Sequence, residues 1–113
     1  MIPELETLGD VRILVAGDLM LDEYFYGDVE RVSPEAPVPV VKEKHHEKRV
    51  GGAGSVVTNL RALGADVVVV GLVGDDDSGR DVLAALESAD ANVDGVVVSC
   101  SARTIRKTRV LAG

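Results

Sequence analysis

Three stretches of this sequence carry residue types able to bind a polar, anionic substrate. Gly51-Gly52-Ala53-Gly54-Ser55 opens a helical pattern, and glycines there let backbone N–H groups close on an anion that the helix dipole favours. A dinucleotide fingerprint would begin at Gly52, but its third glycine falls on Val57 and no P-loop Lys-Ser/Thr follows. A flexible turn that permits tight packing accounts for these glycines equally well. Asp18 and Asp22 flank the end of the first predicted strand, where open α/β sheets place ligands and an acid can accept hydrogen bonds from a polyol. Asp18 also fits a solvated loop acid or a helix cap. The third stretch, residues 103–109, holds Arg103, Arg106, Lys107 and Arg109 and no acid. Lys107 and Arg109 are two apart on a predicted strand and share a face. Such a pair suits a phosphate, Arg as a fork and Lys as a point charge, although a charge run is also the ordinary mark of a solvated face.

Two further clusters lead away from metal chemistry. His45 and His46 are adjacent on an extended segment, so they point to opposite faces, with no Cys or acid at ligand spacing. Asp75-Asp76-Asp77 precedes a helical pattern without calcium-loop spacing and reads as a helix cap. No metal site is expected.

The elements that position these residues follow from hydrophobic period. Val11 to Gly17 reads as a buried strand, and Tyr24 to Gly27 as a second, short one. Three prolines between Ser33 and Pro39 impose an extended loop or sheet edge. Val40 to Val50 alternates like an exposed hairpin or flap outside the main sheet. Val56, Val57, Leu60 and Leu63 then give a helix an apolar face, with Gly64 as its stop. Val67 to Val73 is a β-branched run of the kind covered on both faces. A second helix carries Val82, Leu83 and Leu86, followed by strands at Val96–Val98 and Thr104–Leu111. This order predicts an α/β layered fold with a parallel sheet.

Composition narrows the partners. The 113 residues are 46% hydrophobic and 27% charged, a globular balance. Aromatics at 3% and a net charge of −7 argue against a stacking platform for single strands and against general polyanion binding, so no nucleic-acid partner is expected. The single Cys100 suits a reducing cytoplasm. No basic n-region leads the chain, and the apolar run Val67–Gly74 is too short for a membrane span, so no membrane partner is expected. Because the chain stops directly after a strand, with two helices for about four strands, it is expected to be an incomplete domain.

Taken together, these segments resemble the N-terminal portion of the ribokinase-like (PfkB) carbohydrate kinases, nearest to the branch that acts on D-glycero-β-D-manno-heptose 7-phosphate. The resemblance rests on Gly17 to Tyr24, Arg31 to Val41, Gly51 to Val56, Leu63-Gly64-Ala65, Val70 to Asp76 and Thr104 to Val110, in the family's order over about residues 11–111. It implies a Rossmann-like parallel sheet with a small β lid at 24–50 that also serves as a dimer clasp. It implies phosphoryl transfer from ATP with Mg2+ to the anomeric hydroxyl of a sugar phosphate. Asp22 matches the family's sugar-binding acid, Gly51, Gly52, Ala53 and Ser55 the segment that closes on the sugar, and Lys107 and Arg109 a basic pair near the substrate. Ser55 stands where the family usually has Asn, and Val57 where it usually has a small residue. The Gly-Ala-Gly-Asp segment that carries the family's base does not occur in this sequence. No catalytic residue is therefore assigned, and the chain alone is expected neither to bind ATP tightly nor to turn over sugar. Two other classes fit less of the pattern: a nucleotide-binding Rossmann module, and a non-catalytic module that dimerises through the lid.

Overall fold

A computed structural model describes residues 7–112. After a short 3-10 turn at Thr7–Asp10 come strands β1 (Arg12–Ala16), β2 (Leu19–Val32) and β3 (Pro39–Gly52). Helix α1 (Ala53–Ala62), strand β4 (Asp66–Gly74), helix α2 (Asp77–Ser88), β5 (Asn92–Ser99) and β6 (Ile105–Ala112) complete the order. The strands form two three-stranded sheets. In the core sheet, order β1-β4-β5, all neighbours are parallel. In the second sheet, order β3-β2-β6, β2 runs antiparallel to β3 and parallel to β6.

One hydrophobic cluster lies between the sheets and the helices. Val67, Val69 and Val73 of β4 meet Val57 of α1 and Val82 and Leu86 of α2, while Leu19 and Leu21 bring the base of β2 into the same cluster. Burying each of these side chains contributes about 1.5–3 kcal/mol. The helices take their ends from local chemistry. Asp76 caps α2 by accepting the Gly79 N–H at 2.7 Å, and α1 stops at Gly64, whose φ is +94°.

The structure departs from four expectations. The β4 run is covered on one face only: α1 and α2 pack on the same side, leaving Leu14, Val70, Leu72 and Val97 exposed on the other. For the same reason β1, an edge strand, is half-buried rather than buried. On α1, Val57 is buried and Leu60 partly so, whereas Val56 and Leu63 face solvent, because the contact stripe of a ten-residue helix is narrow. The fourth departure is topological. The short strand expected at Tyr24 is a 14-residue strand paired along its length with β3, and the basic strand β6 joins this second sheet instead of the parallel one. The hairpin thus runs from Leu19 to Gly52, wider than the segment 24–50, since β2 pairs from its first residue: Leu19 stands opposite Gly52. Its tip is the proline-rich loop, closed by the Ser33 N–H donating to the Val38 carbonyl at 2.7 Å.

Candidate sugar-phosphate site

Strand pairing places the singled-out residues. Residues opposite one another in a sheet share a face. Asp22 pairs with Arg49 on one side and Lys107 on the other; two residues on, Tyr24 pairs with Glu47 and Arg109. Asp22, Tyr24, Arg49, Lys107 and Arg109 therefore stand on one face of the second sheet, and Gly51, opposite Met20, continues it towards α1. Asp22 is half-buried yet forms no ion pair among the described residues, although cations flank it in the register. Lys107 and Arg109 are exposed and likewise form no ion pair among the described residues.

The glycines divide their work. A Cβ on Gly51 would stand 2.5 Å from Asp22 Oδ2, so the absent side chain makes the room in which that carboxylate lies. Gly52, with φ +60° and ψ −133°, occupies backbone that L residues rarely adopt, and turns β3 into α1. The turn is pinned where the Ala53 N–H donates to the Asp18 carbonyl at 2.8 Å. Asp18 thus contributes through its main chain. Gly54 is buried, and a side chain there would collide with Val50. It serves packing, which weakens the dinucleotide reading. Ser55 is exposed in the first turn of α1; its carbonyl accepts the Thr58 hydroxyl at 3.0 Å, and its own hydroxyl bonds no other described residue.

Two residues of this face, Arg49 and Tyr24, were not singled out by the sequence. Arg49 reaches over the Tyr24 ring, its Cζ 5.4 Å from the centroid, and Arg109 approaches the same ring at 5.9 Å. Arg49 Nη2 donates to Glu47 Oε2 at 2.6 Å, and Glu47 also bonds His45 Nε2 at 2.9 Å. These bonds to His45 and Arg49 hold the Glu47 carboxyl below its ordinary pKa, and the Glu47 carboxylate raises that of Arg49. The signal for Arg49 was its position two residues before Gly51, since an extended chain entering the glycines puts both on one face.

The opposite face anchors the sheet to the core. Glu23 is buried there, accepting from His46 Nε2 at 3.0 Å and lying 3.3 Å from Arg106 Nε, so one carboxylate ties all three strands. The His46 ring stacks on Phe25 with centroids 4.2 Å apart. Lys48 reaches Asp81 of α2 at 3.0 Å. The histidines do point to opposite faces, opposite Tyr26 and Phe25 respectively.

A second knot fixes the start of β6. Asp76 accepts from the Thr104 N–H at 3.0 Å and the Thr104 hydroxyl at 2.7 Å, and the same hydroxyl accepts the Gly74 N–H at 2.8 Å. These bonds from Thr104, with that from Gly79, hold the Asp76 carboxyl below its ordinary range. Of the three aspartates, Asp76 is the cap. Among the described residues no three His, Cys, Asp or Glu side chains are grouped to hold a metal ion. Nor is any described helix long and apolar enough to cross a membrane.

A parallel α/β core with a second sheet beside it is shared with solved ribokinase-like structures. The chain superposes on a ribokinase from Cryptococcus neoformans in complex with ADP, with a TM-score of 0.64 and 28% identity over 88% of this chain and 30% of that one. It also superposes on a fructokinase with bound ATP from Xylella fastidiosa, with a TM-score of 0.69 and 23% identity over 88% and 29% of the two chains. Residues 11–113 match the pfkB family carbohydrate kinases, and the chain belongs to that family. Among curated relatives, the bifunctional protein HldE of Pelobacter propionicus is 54% identical over 88% of this chain and 20% of its own length. The HldE of Geobacter sulfurreducens is 51% identical over 92% and 21%. The chain therefore spans about a fifth of the relatives it matches.

Proposed function

We propose that this chain forms the sugar-binding part of an ATP-dependent sugar kinase whose acceptor is a sugar phosphate of the heptose 7-phosphate type. One observation carries the reading: Asp22, seated over Gly51, shares a face with Lys107 and Arg109, cations that form no ion pair among the described residues. A free carboxylate accepts hydrogen bonds from sugar hydroxyls, and free cations bind a phosphate dianion. Gly51, Gly52 and Ala53 let the chain approach the sugar closely at the head of α1, with Ser55 one turn in. The second sheet, at 24–50 together with the flanking residues and β6, acts as a lid that excludes water.

In the complete enzyme ATP with Mg2+ supplies the phosphoryl group. This chain's residues bind and orient the acceptor. They neither hold ATP tightly nor transfer phosphate alone, a reading supported by the lack of a P-loop or a Gly-Ala-Gly-Asp segment in the sequence. A homodimer through the lid is supported by exposed apolar residues on it, Val29, Val32, Val38 and Val110. A cytoplasmic setting is supported by the lone exposed thiol of Cys100.

The test is titration of heptose 7-phosphate into the complete enzyme that contains this chain, followed by calorimetry. Lys107→Ala and Arg109→Ala are each expected to weaken binding about tenfold, the loss of one charge-assisted bond. Unchanged affinity in both would return these residues to a solvated face.

A further inference from the structure

The two cations on β6 are not the whole of the positive charge on the site face. Arg49 enters it from β3, the opposite edge of the sheet, and leans over the same Tyr24 ring that Arg109 approaches from β6. Its guanidinium spends one N–H on Glu47 and makes no other hydrogen bond among the described residues, so most of the donor fork is open. Glu47 does not merely neutralise it. Bonded from the other side by His45, this carboxylate is itself fixed, and it holds the guanidinium in place above the ring.

Resting on the reading of the chain as a sugar-phosphate binder, we propose that Arg49 is a phosphate-binding residue. In this arrangement Arg49 and Arg109 grip the substrate phosphate from opposite edges of the sheet over Tyr24, with Lys107 beside them and Asp22 taking the sugar hydroxyls. Register supports this division. Asp22 and Tyr24 are two residues apart on β2, about 7 Å along an extended strand, a separation that matches a sugar whose phosphate sits on an exocyclic carbon away from the ring hydroxyls. Tyr24 itself brings no negative charge to the phosphate, and the carboxylate opposite it, Glu47, is already bonded to Arg49 and His45. Phosphate binding would loosen the Arg49 bond to Glu47 without breaking the face, because Glu47 keeps its bond to His45.

The chain has no Trp and two Tyr, and both rings lie on this face, stacked with centroids 6.3 Å apart. Tyrosine fluorescence therefore reports occupancy directly. The experiment titrates heptose 7-phosphate and the unphosphorylated heptose into the wild type, Arg49→Ala, Arg49→Lys, Lys107→Ala and Arg109→Ala. Arg49→Ala is expected to weaken heptose 7-phosphate binding about tenfold or more while leaving the weaker binding of the unphosphorylated sugar unchanged. Arg49→Lys should recover part of the loss, keeping the charge without the fork. Unaltered phosphate-sugar affinity in Arg49→Ala, with losses in Lys107→Ala or Arg109→Ala, overturns the role of Arg49 and leaves the sugar-phosphate reading standing. An equal loss for both ligands also overturns it, showing that Arg49 serves the sugar or the sheet. No effect from any of the three cations, or no binding by the wild type, overturns the reading together with the inference.

Discussion

The adjacent glycines Gly51 and Gly52 separate folding from binding under one substitution, alanine. At Gly52, φ +60° forces an L residue into sparsely populated backbone, and its Cβ runs into the Asp18 carbonyl oxygen, which cannot swing aside because it accepts the Ala53 N–H. The backbone strain is about 1–3 kcal/mol, and disturbing that hydrogen bond adds about 0.5–1.5 kcal/mol. Gly52→Ala should therefore lose about 1.5–4.5 kcal/mol, a large share of the roughly 5–15 kcal/mol of a domain this size. At Gly51 the backbone is compatible with alanine, and the three atoms nearest the added Cβ all belong to the Asp22 carboxylate, the movable end of a side chain. Stability should stay within about 1 kcal/mol of wild type. The displaced carboxylate no longer meets the sugar, which weakens binding by about 1.5–3 kcal/mol, or about 10- to 150-fold. Urea unfolding followed by circular dichroism reads the first effect and calorimetric titration of heptose 7-phosphate the second. If Gly52→Ala unfolds at the wild-type midpoint, or Gly51→Ala proves the less stable of the two, the account of this junction is wrong.

Other consequences follow from the same geometry. Asp76 has a folded pKa below its unfolded value of 3.8, so its contribution to stability is present above about pH 4 and is lost as pH falls through the folded value. Asp76→Asn should accordingly lower the melting temperature most near neutrality, and the gap to wild type should narrow in acid. Leu86→Ala removes a fully buried side chain from the contact between α2 and the core sheet and should lose about 2–5 kcal/mol in urea unfolding. Glu23→Gln should speed hydrogen exchange of the β6 amides, because among the described strands β6 pairs only with β2 and it loses the charged tie to Arg106. Equal exchange rates would show that the backbone ladder alone holds the strand.

Much of the architecture was legible in local pattern. The valine run of β4, the glycine entry to α1, the aspartate cap of α2 and the proline-rich tip each follow from chemistry acting within a few residues. Asp22, Lys107 and Arg109 could be singled out by type and by two-residue spacing. Ser55 was singled out as well, but its hydroxyl makes no bond to a described residue. The coverage of β4 was misread because a β-branched run reports strand character and cannot count the helices packed on each side.

The sequence by itself determined the family and most of the order of elements, and it singled out Asp22, Lys107 and Arg109 by residue type and spacing. Tertiary structure decided which strand lies beside which. Strand pairing is a long-range choice that leaves no period in the paired segments: β6 is exposed throughout and joins β2 some 85 residues earlier in the chain. That pairing brings Lys107 beside Asp22 and Arg109 beside Tyr24. The hairpin register brings Arg49 over the same ring and buries Glu23 beneath it. The site face exists only because three strands align across it, and so Arg49 and Tyr24 became visible as parts of it only in the folded chain.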